Sequence, residues 1–263
     1  MNLSYPSVQK TFALLLRLFV LALVLCIPIV FVEIAQWELA SNATFKTIYL
    51  SLVAILTNIF GIFYAMKRIK AQGKFQLFNE FRFSKIQFLP FVVLGAFALS
   101  FLVDPLGRIM PLSDRYENFF TSLLSMRGYS FFVIVLIIPT VEEMLFRGII
   151  LKGFLKNYPP FKAIVLSSLF FAIIHFNLTQ LTTAFLTGLF FGYLYWQTRS
   201  LSICILAHTI YNAIFYFGFH ALNFGFSIES SITDTSIYLA LYFFAAITLT
   251  ASILMIYKKN TLA

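Results

Sequence analysis

Charged residues are scarce in this chain of 263 residues: they make up 11% of it, and only 10 of them are acidic. Hydrophobic residues make up 60%, and they include 34 phenylalanines. A soluble domain of this length has no core large enough to hide so much apolar surface, so the composition predicts a polytopic membrane protein. Cysteine is also rare. Cys26 and Cys204 lie in or beside hydrophobic runs without a paired spacing, which predicts ordinary buried cysteines and says nothing about the redox compartment.

Internal repeats, low-complexity tracts and linkers rich in proline or glycine are also missing, and no polar stretch is long enough for a separate soluble domain. The chain is therefore expected to form one membrane-embedded domain over residues 1–263. A bilayer span needs about 20 apolar residues. The first hydrophobic run is too long for a signal peptide and lacks a clean cleavage site, so we count it as a span. The sequence predicts an all-α bundle of eight transmembrane helices, over 12–32, 45–66, 86–103, 130–151, 161–178, 181–198, 201–220 and 236–257.

The net charge of +9 invites a nucleic-acid partner, but the distribution of the charges argues against one. With the N-terminus inside, thirteen basic residues fall on one side of the eight spans: Lys10, Lys67, Arg68, Lys70, Lys74, Arg82, Lys85, Lys152, Lys156, Lys162, Arg199, Lys258 and Lys259. Four fall on the other: Lys46, Arg108, Arg115 and Arg127. Such a bias predicts that both termini are cytoplasmic. The basic charge then serves the anionic lipid surface rather than nucleic acid, and the membrane is the plasma membrane if the source is bacterial.

Two adjacent acidic residues, Glu142 and Glu143, interrupt the apolar span 130–151. Ionisable groups at bilayer depth are costly and usually mark a functional site. Glu143 and Arg147 are four residues apart, so they can form an ion pair along one helix face. Glu142 points about 100° away from Glu143 and has no partner of its own on the helix. Pro139, three residues earlier, is compatible with a kink and a wider cavity beside Glu142.

Three further polar residues lie in other predicted spans: His175, His208 and Asn212. Each alone predicts an interhelical hydrogen bond. Glu142, His208 and Asn212 fall within about one helical turn of the midplane, and His175 lies roughly 7 Å toward the outer side. Together they predict hydrolysis, with a glutamate base and with imidazole and amide donors for an oxyanion. A zinc site of Glu142, His175 and His208 stays open as an alternative, although no His-Glu-x-x-His helix is present.

Three motifs in this order resemble a known family: Glu142-Glu143-Met-Leu-Phe146-Arg147, then Phe171-x-x-x-His175, then His208-x-x-x-Asn212. This pattern is similar to that of the CPBP family, the CAAX-protease and bacteriocin-processing (Abi) intramembrane endopeptidases. The resemblance covers roughly residues 130–220, which would form the catalytic core. It implies eight helices around a polar cavity open toward the cytoplasm. It also implies cleavage near the C-terminus of prenylated proteins in eukaryotic members, and processing of small peptides in bacterial ones.

The resemblance implies a role for each motif residue. Glu142 would activate water together with His175, while His208 and Asn212 would hold the oxyanion. Glu143 and Arg147 would be supporting residues. The resemblance favours a glutamate mechanism that requires no cofactor over a metalloprotease-like one with zinc, and it implies a hydrophobic or lipid-modified peptide as the substrate.

Two other classes of function remain as alternatives. One is a non-catalytic membrane scaffold, or a bacteriocin-immunity-type protein, of the same fold. The other is a proton-coupled transporter that uses Glu142 and His175 as a relay. A relay requires ionisable groups across the whole membrane, whereas those of this chain are concentrated in one patch, with Arg17 alone in another span.

Overall fold

The computed structural model describes residues 5–36, 42–70, 77, 80–83, 85–106, 114–221, 232 and 234–261. Its regular structure over these residues is helical throughout, which confirms the predicted all-α class. The helices are α1 (Val8–Ile34), α2 (Ala43–Lys70), α3 (Leu89–Val103, after a 3-10 turn over Ile86–Phe88), α4 (Asp114–Ser125), α5 (Arg127–Ser130), α6 (Ile138–Leu145), α7 (Lys152–Asn157), α8 (Pro160–Ile173), α9 (Leu178–Thr198), α10 (Leu201–Ala221) and α11 (Thr235–Thr261).

Two π-helical segments, Phe131–Ile137 and Phe146–Leu151, join α5, α6 and α7 into one continuous composite helix over residues 127–157. A π-helical turn forms hydrogen bonds five residues back instead of four, and such turns are frequent at functional sites. The composite helix carries both glutamates of the first motif and covers the predicted span 130–151.

Five helical segments are long and apolar enough to cross a bilayer: Val8–Ile34, Ala43–Lys70, Ile86–Val103, Leu201–Ala221 and Thr235–Lys259. The protein is therefore a polytopic membrane protein, as predicted. The composite helix, α8 and α9 occupy the other three predicted spans, and their crossing of the bilayer stays a prediction. Helix α8 has 14 residues, or about 21 Å of rise, which is shorter than a typical hydrocarbon core.

The predicted helix over 161–178 was too long, because α8 ends at Ile173 and a turn follows. Phe176 has a left-handed backbone with φ 49°, a conformation that an L-residue rarely adopts inside a helix. Asn177 then caps α9, and its side chain accepts a hydrogen bond from the Gln180 N–H at 3.2 Å. The cap begins a new helix at this point, so His175 lies in a turn rather than inside a span.

Helices α1 and α11 form the periphery of the bundle. They pack mainly on α2 and α3, respectively, and much of their apolar surface faces outward, as at Phe12, Ile27, Phe243 and Phe244. Lipid is the environment that such a surface requires. The fully buried side chains belong mostly to the composite helix and to α8, α9 and α10, so these four elements form the centre of the fold.

The two ends of the bundle differ in charge. At the basic end, defined by Lys85, Lys152, Arg199 and Lys259, Lys85 Nζ donates to the Gln197 carbonyl at 3.0 Å. Lys152 Nζ pairs there with Glu80 at 2.6 Å. The acidic end is defined by Glu33, Asp104, Asp114 and Asp234. The first and last helices, α1 and α11, have their basic residues at this basic end of the bundle: Lys10 and Arg17 in α1, and Lys258 and Lys259 in α11.

Helix α4 lies at the acidic end, between α3 and α5 along the chain. Thr47 at the start of α2 donates to Ser122 of α4 at 2.9 Å. Tyr116 of α4 donates to the Phe176 carbonyl in the turn after α8 at 3.3 Å. Leu123 and Leu124 are buried against Ile134 and neighbouring residues. Helix α4 is therefore part of the bundle rather than a free connector.

Candidate functional site

Glu143 forms the predicted ion pair with Arg147. Arg147 Nη1 donates to Glu143 Oε1 at 2.7 Å, and the two side chains are 1% and 0% exposed. A pair removed from water so completely stabilises the fold only when hydrogen bonds serve its remaining polar atoms. One of these is Arg147 Nη2, which donates to the Gly188 carbonyl of α9 at 3.3 Å.

Two phenylalanines complete the surroundings of Arg147. Its guanidinium carbon lies 4.6 Å from the ring centroid of Phe171 and 5.4 Å from that of Phe191. These distances are within the range of cation–π attraction, which strengthens when water is absent. Sequence reasoning gave neither phenylalanine a role at the site and missed these contacts. The signal available was the position of Phe171 four residues before His175.

His208 lies between the two glutamates. Its Nδ1–H donates to Glu143 Oε1 at 2.9 Å, while its Nε2 is 3.9 Å from Glu142 Oε2. The imidazole also stacks on Phe191, with centroids 4.9 Å apart and an interplanar angle of 27°. The shared contact with Glu143 links His208 to Arg147 in one buried chain of polar groups, so the orientation of the imidazole depends on both.

His175 has a different partner. Its Nδ1 lies 2.9 Å from the Phe171 carbonyl oxygen, four residues back. A carbonyl can only accept, so Nδ1 carries a hydrogen and Nε2 is the nitrogen left for other contacts. The final carbonyls of a helix lack a backbone partner, and α8 ends at Ile173, so the Phe171 carbonyl is available to the side chain. The end of α8 therefore fixes the orientation of the ring.

Glu142 is 8% exposed, and the imidazole that lies near its carboxylate, with Nε2 3.9 Å from Oε2, is that of His208 rather than that of the expected His175. The two glutamates thus differ as the helix geometry predicts. Glu143 is enclosed and paired, whereas Glu142 faces a cavity.

Asn212 donates from Nδ2 to the Ile134 carbonyl at 2.8 Å, across two helices. Two local features leave that carbonyl free. The Ile138 N–H bonds to Val133, five residues back, rather than to Ile134. The next residue, Pro139, has no N–H at all. Asn212 therefore supplies the hydrogen bond that the backbone of the π-helical segment and Pro139 does not give to this carbonyl. The second Nδ2 hydrogen and the amide oxygen of Asn212 remain for other contacts.

Glu142, His175, His208 and Asn212 all line one cavity of about 390 Å³. The structure thus brings together the four residues that the sequence singles out from three separate predicted spans. Sequence reasoning missed the polar face that α9 adds, with Thr179, Thr183 and Thr187 on the cavity wall. The signal was their four-residue spacing, which places them on one side of a helix.

A zinc site finds no support in this geometry. Within the described part of the chain, no three His, Cys, Asp or Glu side chains are arranged to hold a metal ion. The Nδ1 atoms of both cavity histidines bind oxygen acceptors, which leaves Nε2 as the ring nitrogen that could ligate a metal. The orientation of the two rings therefore does not count against zinc, but the described side chains of Glu142, His175 and His208 are not arranged as a three-ligand site.

The family model described as Type II CAAX prenyl endopeptidase Rce1-like matches residues 125–214. The matched segment contains all three motifs and confirms the resemblance stated from them. The matching family is one of proteases, and the match leaves the substrate and the catalytic mechanism of this chain open. We found no match to the chain among curated proteins or among solved structures.

Proposed function

We propose that this protein, which carries an Rce1-like domain of the type II CAAX prenyl endopeptidase family over residues 125–214, is an intramembrane endopeptidase. Its substrate is a hydrophobic or lipid-modified peptide associated with the membrane. The observation that carries the proposal is the convergence of Glu142, His175, His208 and Asn212 on one cavity. A carboxylate base, an imidazole beside the water and two hydrogen-bond donors, from a second imidazole and an amide, are the groups that hydrolysis of an amide requires.

The hydrogen-bond partners of the two histidines support different roles for them. His175 donates from Nδ1 to a neutral carbonyl, so in the neutral imidazole its Nε2 is an acceptor. It can orient a water molecule together with the carboxylate of Glu142. His208 donates from Nδ1 to a carboxylate. When it carries a second hydrogen, on Nε2, the four formal charges of Glu142, Glu143, Arg147 and His208 cancel, and Nε2 becomes a donor.

In the first step, Glu142 accepts a proton from the water molecule. The water oxygen attacks the carbonyl carbon of the scissile peptide bond, and the carbonyl π electrons move to its oxygen. The resulting oxyanion accepts hydrogen bonds from His208 Nε2–H and from the second Nδ2 hydrogen of Asn212. Donors fixed in place before the reaction stabilise such an anion, and the loss of one typically costs about 10²–10³ in kcat.

In the second step, the tetrahedral intermediate collapses and the carbon–nitrogen bond breaks. The proton held by Glu142 passes to the leaving amine, so the carboxylate is regenerated. Arg147 contacts neither water nor substrate in this scheme. It acts as a positioning residue, because it holds Glu143, and Glu143 in turn holds His208.

The walls of the cavity support a hydrophobic substrate. Phe119, Phe120, Phe215 and Phe219 line the part away from Glu142. The threonines of α9 add hydroxyl groups along one side. An apolar pocket with a few convergent polar groups favours a substrate with apolar side chains whose peptide bond lies at the polar groups.

No step of the proposed reaction passes through a metal ion.

The deciding experiment is cleavage of a panel of hydrophobic and prenylated peptides by the purified full chain in detergent. Wild type is expected to cleave a subset of them, and Glu142→Gln none. Glu117→Gln removes an exposed carboxylate of α4 and serves as the matched control. Equal turnover by wild type and Glu142→Gln would refute the proposal, and so would the absence of cleavage by a folded wild type on the whole panel.

A further inference from the structure

The described residues that line the cavity all lie in one half of the bundle, the half toward the acidic end. On the composite helix the lining residues run from Ile134 to Glu142 and stop there, although the helix continues to Asn157. On α9, which runs from the acidic to the basic end, they include Thr179 in the first turn and extend no further than Thr187. Each helix thus contributes its acidic-end half, and Glu142 lies at the inner limit of the cavity.

The lining residues of helix α10 also lie in the acidic-end half of the helix. Its lining residues extend from His208 to Phe219, about 16 Å along the axis at 1.5 Å per residue. This helix runs from the basic to the acidic end. The cavity is therefore a channel-like space that leads from the four site residues toward the acidic end.

The residues that the structure describes in the other half of the bundle are closely packed. Phe146, Leu151, Phe154 and Leu201 are fully buried between the site and the basic end. Leu77, from the segment between α2 and α3, is also fully buried there, and a Cβ added to Gly148 would lie 2.6 Å from its side chain. Interiors packed this closely leave no room for a peptide. A substrate that approached from the basic end would have to displace this core.

The basic end is the one that the distribution of lysine and arginine predicts to be cytoplasmic. We infer that the cavity is entered from the extracytoplasmic side, and that the substrate is a hydrophobic peptide segment presented there, either exported or anchored in the outer leaflet. The substrate named in this inference rests on the proposed function, whereas the side of the membrane from which the cavity is entered does not depend on it. It differs from the cytoplasm-facing cavity that the family resemblance implies, because here the packed core and the basic side chains lie at the same end.

Cysteine accessibility tests the topology without any need for activity. Thr183→Cys places a thiol on the cavity wall, and Lys156→Cys places one on an exposed position at the basic end. The full chain is expressed in a bacterial inner membrane and treated with a charged, membrane-impermeant methanethiosulfonate reagent. Intact spheroplasts expose the extracytoplasmic side, and inverted vesicles expose the cytoplasmic side.

We expect Thr183→Cys to be labelled in spheroplasts and Lys156→Cys only in inverted vesicles. The unsubstituted chain, which retains Cys26 and Cys204, supplies the background. Labelling of Thr183→Cys from the cytoplasmic side alone, or from neither side, overturns the inference. So does labelling of Lys156→Cys in spheroplasts.

A second arm separates this inference from the proposed function. The same hydrophobic reporter segment is fused either behind an export signal or to a cytoplasmic domain, and both are co-expressed with wild type and with Glu142→Gln. Cleavage of the exported reporter alone, lost in Glu142→Gln, supports both proposals. Cleavage of the cytoplasmic reporter alone overturns the inference while the protease remains. Extracytoplasmic labelling of Thr183→Cys without cleavage of any substrate refutes the protease and leaves the topology intact.

Discussion

His208 Nδ1 and Glu143 Oε1 are 2.9 Å apart, although 65 residues separate them in the sequence. The contact joins the second histidine of the motif set to the glutamate that already holds Arg147. As a result, His208 has a carboxylate on each side, one hydrogen-bonded to it and one 3.9 Å away. The adjacent glutamates therefore serve one imidazole in two ways: Glu143 orients it, and Glu142 shares the cavity with it.

Substitutions of the two glutamates are expected to have different effects, one on turnover and the other on stability. Glu142→Gln should abolish turnover with little change in the thermal midpoint, because this side chain borders the cavity. Glu143→Gln should destabilise the fold by about 3–5 kcal/mol, since it leaves the buried charge of Arg147 without its partner. Thermal unfolding in detergent and peptide cleavage measure the two effects. A stable, inactive Glu143→Gln protein would contradict this division.

Arg147→Lys is expected to destabilise the protein even though the positive charge is retained. An ammonium group cannot reproduce the planar contacts with Glu143, the Gly188 carbonyl and the two phenylalanine rings. Arg127→Lys, an exposed substitution in α5, is the matched control and should leave the thermal midpoint unchanged. Equal midpoints for the two variants would show that charge alone matters at position 147.

Asparagine substitutions at the two histidines separate orientation from chemistry. The amide nitrogen of asparagine lies near the position of Nδ1, so His175→Asn can still donate to the Phe171 carbonyl and His208→Asn to Glu143. Both variants lack an equivalent of Nε2. We expect folded proteins with a severe loss of kcat, about 10²-fold or more. Activity close to wild type in His208→Asn would exclude Nε2 from the reaction.

Asn212 and Pro139 should show coupled effects on stability. Asn212→Leu leaves the Ile134 carbonyl without a donor, which is expected to cost about 1–3 kcal/mol. Pro139→Ala restores a backbone N–H near that carbonyl, so the penalty for Asn212→Leu should shrink in its presence. A double-mutant cycle by thermal or denaturant unfolding measures the coupling. Additive effects of the two substitutions would argue against the shared carbonyl.

Chelation addresses the metal alternative. Because no step of the proposed reaction passes through a metal, cleavage by the purified protein should persist after exhaustive dialysis against EDTA and 1,10-phenanthroline. Restoration of a lost activity by added zinc would reinstate the zinc mechanism. A parallel measurement of the thermal midpoint separates loss of a catalytic ion from loss of the fold.

Much of the architecture could be predicted because it follows from local sequence. The apolar runs predict the long helices of the bundle, although not α4, and the four-residue spacing predicts the Glu143–Arg147 pair, since both depend only on neighbours along one helix. The end of α8 could not be placed in this way. The run through His175 is apolar enough to continue, and only the cap at Asn177 and the left-handed Phe176 end the helix earlier.

The sequence by itself determined the class of the protein, its membrane setting and four of the polar residues that line the cavity. Composition and motif order carry that information, because bilayer insertion and helix faces are decided locally. Only the tertiary structure decided that His208 contacts Glu143, that Asn212 serves a carbonyl beside Pro139, and that the cavity occupies the acidic half of the bundle. These relationships join residues that are distant along the chain, and only the packing of the helices against one another brings them together.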